Sequence, residues 1–230
     1  MCGRFVAATP GAALKQLFDL VNEPEVVARY NVAPGQPVLA VRHTEHGKVG
    51  ANVVWGYRLE RNGKRTFVIN ARSETAALLP SFRDDLRARR VIVPADGWYE
   101  WKKASEGDRG VPHLVRPLDG KPMGFAGLWR PTERAVVEAP ADAVPAGPAP
   151  GELVILTTPA SRALGWLHDR MPGIISLEDA DAWLDPRVVS GQAALALLQD
   201  PNDLLANAAR VSERVNKVAN EDPECAAPLS

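Results

Sequence analysis

The chain has 230 residues, 46% of them apolar and 24% charged, which is enough to bury a globular core without a disulfide or a metal. Lys and Arg total 27 against 28 Asp and Glu, a net charge of −1, which excludes a polybasic coat for nucleic acid but not a local basic cleft. No apolar run approaches the ~18 residues of a membrane helix and no charged start leads into an apolar segment, so a cytosolic chain with no membrane partner is expected.

Thr9-Pro10 opens the first predicted helix, with Leu14, Leu17, Phe18 and Val21 recurring at helical spacing. Strand character follows in Pro37–Val41, Ala51–Trp55, Thr66–Asn70, Val91–Pro94, His113–Val115, Met123–Trp129 and Leu153–Thr157. Helical signals interrupt them at Ser73–Leu79, from Thr158-Pro159 through Leu167, at a Ser176/Asp179 capping pattern leading to Trp183 and Leu184, and at Ala193–Leu198. Strands and helices mix without βαβ alternation. The class is therefore a compact, β-rich α+β fold with a mainly antiparallel sheet. Glu138–Gly151, rich in Pro, Ala and Gly, reads as a mobile surface loop within a single domain over 1–220. A domain boundary is the alternative, but Met123–Trp129 and Leu153–Thr157 flank the segment as natural pairing partners. Residues 221–230 read as a tail.

The two cysteines, Cys2 and Cys225, stand at opposite ends of the chain, a poor basis for a disulfide in a cytosolic protein. No CxxC or HxxxH spacing offers a metal site, and neither metal nor cofactor is expected. Cys2 is thus incidental or chemical. Removal of Met1 ahead of a small residue leaves Cys2 with an α-amine (pKa roughly 7.7–8.0) beside a thiol (pKa ~8.5). Such a 1,2-aminothiol condenses with an aldehyde through its amine and closes a thiazolidine through its sulfur. Acyl transfer, with the amine as base, is its other chemistry.

Asn70-Ala71-Arg72-Ser73-Glu74-Thr75 ends one strand and opens a helix, with Asn70 either a turn residue or a donor and acceptor, and Arg72 a fork suited to phosphate. Arg83, Arg87, Arg89 and Arg90 precede Val91–Trp101 and, taken alone, read as a solvated face sooner than as a DNA site. Alternation sets Glu100 on the face opposite Tyr99 and Trp101; in a cleft its pKa rises, and otherwise it is an exposed strand carboxylate. His168, beside Asp169 and Arg170, is the best proton-transfer candidate of the four histidines. His43 and His46 fall in a polar turn, and His113 in a strand.

In order, Met1–Phe5, Arg29–Gln36, Trp55-Gly56-Tyr57, Asn70–Thr75, Val93–Trp101, Ala126–Trp129, Thr157-Thr158 and His168–Pro172 resemble the SOS response-associated peptidase family, the abasic-site processing proteins. The resemblance implies a barrel-like core with flanking helices, binding of single-stranded DNA, and a covalent thiazolidine link between Cys2 and an abasic site. It assigns Asn70 to the amine and the sugar, Glu100 to proton movement, and His168 to the sugar ring oxygen and to reversal. Arg4, Arg72 and Arg170 would hold phosphates, Asn31 and Pro34 would shape the cleft, and Trp55 is a candidate for stacking on bases. Release of the N-terminal Met and β-elimination at abasic sites are further implied activities, in a DNA-associated, cytoplasmic monomer. Two departures stand out. Tyr57-Arg58-Leu59 follows Trp55-Gly56 where relatives carry a Pro and a second Trp, and Pro80 stands at a usually basic position, which makes Arg83 a substitute phosphate contact. Glutamine amidotransferases of the N-terminal-nucleophile type also begin Met-Cys-Gly, and a non-catalytic DNA-binding module is a third reading.

Overall fold

The computed structural model describes residues 2–61, 63–105, 107–132, 151–200, 202–203 and 206–229. Met1 and nearly all of the Glu138–Gly151 segment lie outside the described residues, so the expectations placed on them are not met by any structural observation.

Among the described residues the strands form two large sheets and a hairpin. The first sheet comprises β1 (Phe5–Ala7), β2 (Arg29–Val32), β9 (Gly97–Lys102), β10 (Val111–Pro117) and β15 (Ala206–Arg210), in the order β15-β10-β9-β1-β2. The second is built on β3 (Pro37–Thr44), β4 (Gly47–Trp55), β8 (Arg90–Ala95), β11 (Met123–Pro131) and β12 (Gly151–Pro159). Its order is β12-β4-β3-β8-β11, and β11 pairs again with β12, so the sheet closes into a ring. A ring leaves few open strand edges. β7 (Asn70–Arg72), β13 (Arg170–Pro172) and β14 (Ile174–Ile175) attach to it, and β5 (Tyr57–Arg61) with β6 (Lys64–Val68) makes the hairpin. Pairing is antiparallel except where β12 meets β4 and β7.

Alternation along these strands separates the cores. Val38, Val53, Trp55, Val91, Val93, Phe125, Leu153 and Ile155, from all five ring strands, share one core with Cys2, Phe5 and Trp98. The residues between them (Val41, Ile92, Ala126, Leu128, Val154, Leu156) turn to the helices α1 (Gly11–Phe18), α2 (Ser73–Ala76), α3 (Pro80–Ala88) and α4 (Ala180–Leu184). A third core joins Val6, Tyr99 and Leu114 to Val215, Cys225 and Ala226. The segment expected as a tail is therefore packed: Cys225 is buried, Arg29 pairs with Glu221 at 2.8 Å, and Leu229 N–H donates to Arg210 O. Cys2 and Cys225 are both free thiols, in different cores.

The helical expectations hold unevenly. α1 begins after Pro10, while the Thr9 hydroxyl donates to Asp96 instead of capping it, and it ends at Asp19 in the left-handed region (φ 51°). Val21 is left outside the helix and exposed. Ser176 and Asp179 meet the capping expectation in part: Asp179 N–H donates to Ser176 Oγ at 3.1 Å and the Ser176 hydroxyl to Asp179 Oδ2 at 2.7 Å in the turn ahead of α4, whose own N-cap, Asp179, makes no side-chain capping bond. Thr158–Leu167 is not an α-helix. β12 runs through Pro159, whose partner is Arg170 on β13, and residues 162–167 then form consecutive turns closed by Leu164 and Gly165 N–H donating to Ser161 O. Strand pairing holds the first part of the segment extended, and the remainder folds as turns.

Candidate active site

The site forms where the first sheet faces the ring. β1 is anchored by Phe5, whose ring lies 5.3 Å from Trp55 and 5.8 Å from Phe125. That anchor holds Cys2, three residues earlier, over β7 and β9. The Asn70 side-chain Nδ2 donates to Cys2 O at 2.8 Å, while Asn70 Oδ1 is buried without a hydrogen-bond partner among the described residues. Asn70 and Arg72 pair in register with Ile155 and Thr157 of β12, which puts both side chains on the face that carries the Cys2 core. Here the structure brings two sequence candidates, Cys2 and Asn70, into direct contact.

Glu100 enters from the opposite wall. Trp98 packs in the Cys2 core and Tyr99 in the third core, so alternation turns Glu100 toward Cys2, as the sequence pattern predicts. A glycine is required at the start of this strand: Gly97 has φ +156°, and a Cβ there would stand 2.6 Å from Val115 O on the neighbouring β10. Burial, with the Asp169 charge adding to it, pushes the Glu100 carboxyl from 4.5 up to about 7. Burial also raises the Cys2 thiol far above its ordinary value, and the Glu100 charge raises it further. The thiol is thus held protonated beside a carboxyl that takes and gives protons near neutrality.

His168 stands in the turn before β13, directly after Leu167, which packs in the Cys2 core. Its Nδ1 accepts from Arg170 N–H at 2.9 Å and lies 2.8 Å from Asp169 Oδ1, so protonation of that nitrogen exchanges one partner for the other. Burial lowers its pKa from 6.5, which favours the neutral ring. Arg170 forks onto Glu74, with Nη1–Oε1 at 2.5 Å and Nη2–Oε2 at 2.9 Å, and also donates to Thr157 O. The Arg170 guanidinium beside Glu74 holds that carboxyl down at about 2.

Other candidates fall elsewhere. Trp55 is fully buried, donates its indole N–H to Ile69 O at 2.9 Å and packs on Phe5, so it cannot stack on a base. Asn31 is also fully buried, its amide donating to Lys217 O and Asn220 O and its Oδ1 accepting from Arg4 Nη1 at 2.6 Å. Arg4 gives the same nitrogen to Val215 O. These two residues tie the C-terminal segment to β1 and β2 instead of facing outward for DNA. Arg83 lies on the exposed side of α3 beside Asp84, and α3 packs on the helix-facing core, not on the core beneath Cys2. Arg90 is buried and donates to the carbonyls of Leu86, Trp183, Asp185 and Val189, a structural knot. Arg72 is exposed, and Pro34 is half-buried in the turn whose Gly35 N–H donates to Trp55 O at 2.7 Å.

His43 faces Asp185 at 3.7 Å and His46 faces Glu45 at 3.5 Å, both on the surface. His113 stands opposite Glu100 on β10. Two exposed aromatics had no sequence signal beyond being aromatic: Phe67, lying over Gly56, and Trp166, two residues before His168. Among the described residues no cluster of His, Cys, Asp and Glu could hold a metal ion, and no helix is long and apolar enough to cross a membrane.

Comparison with known proteins agrees with the motifs. The family model described as SOS response associated peptidase (SRAP) matches residues 1–218. The abasic site processing protein YoqW of Bacillus subtilis is 31% identical, over 97% of this chain and 98% of its own length. The abasic site processing protein YedK of Escherichia coli is 33% identical over 84% of each. Among solved structures, a phage-related protein from Bordetella bronchiseptica aligns with a TM-score of 0.70 and 26% identity, covering 92% of this chain and 95% of that one.

Proposed function

The chain belongs to the SOS response associated peptidase family, and from that premise we propose that it captures abasic sites in single-stranded DNA through Cys2 once Met1 is removed. The reading rests on one observation above the others: Asn70 holds the Cys2 carbonyl at 2.8 Å on the wall facing Glu100. Motifs far apart in sequence thereby surround position 2, the only place where an α-amine and a thiol share adjacent carbons.

The chemistry follows in two steps. The Cys2 amine adds to the aldehyde carbon of the ring-opened sugar, and the carbinolamine loses water to give an imine. The thiol sulfur then adds to the imine carbon while its proton reaches the nitrogen, which closes the thiazolidine. Glu100, near 7, donates a proton to the departing hydroxyl and can accept the thiol's proton afterwards. Asn70 fixes the Cys2 backbone and offers its open Oδ1 to the amine or the sugar. His168 serves the sugar ring oxygen, passing it a proton as the ring opens and taking that proton back when reversal closes the ring again. Ring closure removes the imine before β-elimination cuts the strand, so the lyase activity is the side path of a failed closure. Arg72 and Arg170 supply phosphate contacts. An abasic nucleotide enters such a cleft cheaply, because it has no base to unstack.

Intact mass spectrometry tests this directly. The purified protein should lack Met1 and should gain one abasic oligonucleotide with loss of water. Cys2→Ala keeps an amine, so strand nicking should persist while the stable adduct disappears; Cys2→Ser should lose most of it too. A stable adduct at undiminished yield from Cys2→Ala overturns the closure step. Ammonia release from glutamine with no adduct would establish the amidohydrolase chemistry instead.

A further inference from the structure

Among the described residues Trp166 is the most exposed tryptophan, 48% accessible, and it is held where it stands. The turn 161–168 is closed by backbone bonds from Leu164, Gly165, Leu167 and His168, and Leu164 and Leu167 plug into the Cys2 core. Trp166, between these two anchors, is directed outward. Two side chains meet its ring: Lys102 Nζ lies 4.7 Å from the ring centroid, and the His113 ring sits edge-to-face at 5.3 Å. Both come from the strip that carries Glu100. Lys102 follows Glu100 by two residues on β9, so it shares its face, and His113 is Glu100's cross-strand partner. This strip runs without a break from Glu100, whose face turns toward Cys2, to the indole.

We propose that Trp166 is the stacking platform for the unpaired base next to the sugar bound at Cys2, with Lys102 released from the ring to meet a phosphate of the same strand. The proposal deepens the reading of Cys2 as an abasic-site trap and rests on it. A sugar without a base brings no stacking of its own, so the strand must be gripped through its neighbours. An aromatic face with a mobile cation at its side grips a single strand without regard to sequence. Trp55, the sequence candidate for this role, is sealed in the core, whereas Trp166 stands two residues from His168.

The test compares wild type, Trp166→Ala and Trp166→Phe on two single-stranded oligonucleotides bearing one abasic site. One keeps the flanking bases and the other carries base-less spacers on both sides. On the first, Trp166→Ala should raise the concentration for half-maximal adduct formation by about 5- to 30-fold with the limiting rate unchanged, and Trp166→Phe should retain most of the affinity. On the second, wild type and Trp166→Ala should converge. An unchanged half-saturation for Trp166→Ala, or the same loss on both oligonucleotides, overturns the platform. If wild type forms no adduct on either, the trapping reading has failed. Quenching of tryptophan fluorescence by an undamaged single strand then decides the platform separately: a quench in wild type that is lost in Trp166→Phe supports it, and equal signals overturn it.

Discussion

Two buried polar clusters in this protein are built on opposite terms. Around Asp85 on α3, every group is matched: Tyr57 OH donates to Oδ2 at 3.0 Å, Arg89 Nε to Oδ1 at 2.7 Å and Arg130 Nη2 to Oδ2 at 2.8 Å, while the Arg130 guanidinium lies 3.7 Å over the Tyr57 ring. Around Cys2 the terms are reversed. Asn70 Oδ1 and Arg170 Nε are buried without hydrogen bonds among the described residues, and burial holds a carboxyl and a thiol toward their neutral forms. Each cluster centres on a buried carboxyl, Asp85 in one and Glu100 in the other, so burial of an acid does not tell them apart. Saturation of hydrogen bonds does: the first cluster fixes α3 to β11 and the hairpin, and the second leaves capacity for atoms that are not part of the chain.

The largest expected effect comes from breaking the saturated cluster. Asp85→Ala strands two guanidinium groups and the Tyr57 hydroxyl, and should cost about 3–5 kcal/mol in urea unfolding. Adduct chemistry measured below the unfolding transition should be intact; a loss of chemistry with little loss of stability would put Asp85 in the site and erase the contrast. Next comes the pH dependence of the site. With the Glu100 carboxyl at about 7 in the native state against 4.5 in a flexible chain, the folded protein keeps a proton that the unfolded one has already released. Stability linked to this group is full below pH ~4.5, falls as pH rises to ~7, and then levels, by at most about 3 kcal/mol. Glu100→Gln should remove that decline, so its stability relative to wild type should increase across the window. A difference between the two that stays flat with pH would mean that Glu100 titrates as an ordinary carboxylate.

Much of this contrast was legible in the sequence, and the part that was not has a physical cause. Val91–Pro94 and Leu153–Thr157 read as strands because continuous apolar runs bounded by turns have few other uses. Glu100 read correctly because a period of two fixes its face once Tyr99 is buried. The motifs singled out Cys2 and Asn70, which meet in the structure, but not which polar neighbours would be saturated. Asn31 and Arg4 look like surface ligands until residues 215–220 arrive to accept their hydrogen bonds, a pairing across more than 180 residues that no local pattern encodes. Trp55 carries the same motif weight whether it faces a base or Phe5. The helix read into Thr158–Leu167 came from the Thr158-Pro159 start signal, and β13 pairing overrides it at Pro159. α3 was passed over because Arg and Asp dominate it, although Phe82 and Leu86 on one face bury it.

The smallest expected effect sharpens the comparison at its border. Arg170 is the one cation at the site that is neither exposed nor saturated: its fork grips Glu74, yet its Nε is buried without a partner among the described residues. Glu74 is 46% exposed at the side chain, so solvent screens the pair and its worth to stability is under about 1 kcal/mol. Glu74→Ala should therefore leave unfolding nearly unchanged. Its effect on DNA is of the opposite kind, because a phosphate approaching Arg170 must displace the carboxylate or tolerate its charge. Removing that carboxylate should strengthen binding of a single strand by about two- to fivefold at low salt, with the gain shrinking as salt rises. A filter-binding titration at several salt concentrations reads this. Weaker binding from Glu74→Ala would show that the carboxylate is needed to aim the guanidinium, which would move the Arg170–Glu74 pair from the open cluster to the saturated one.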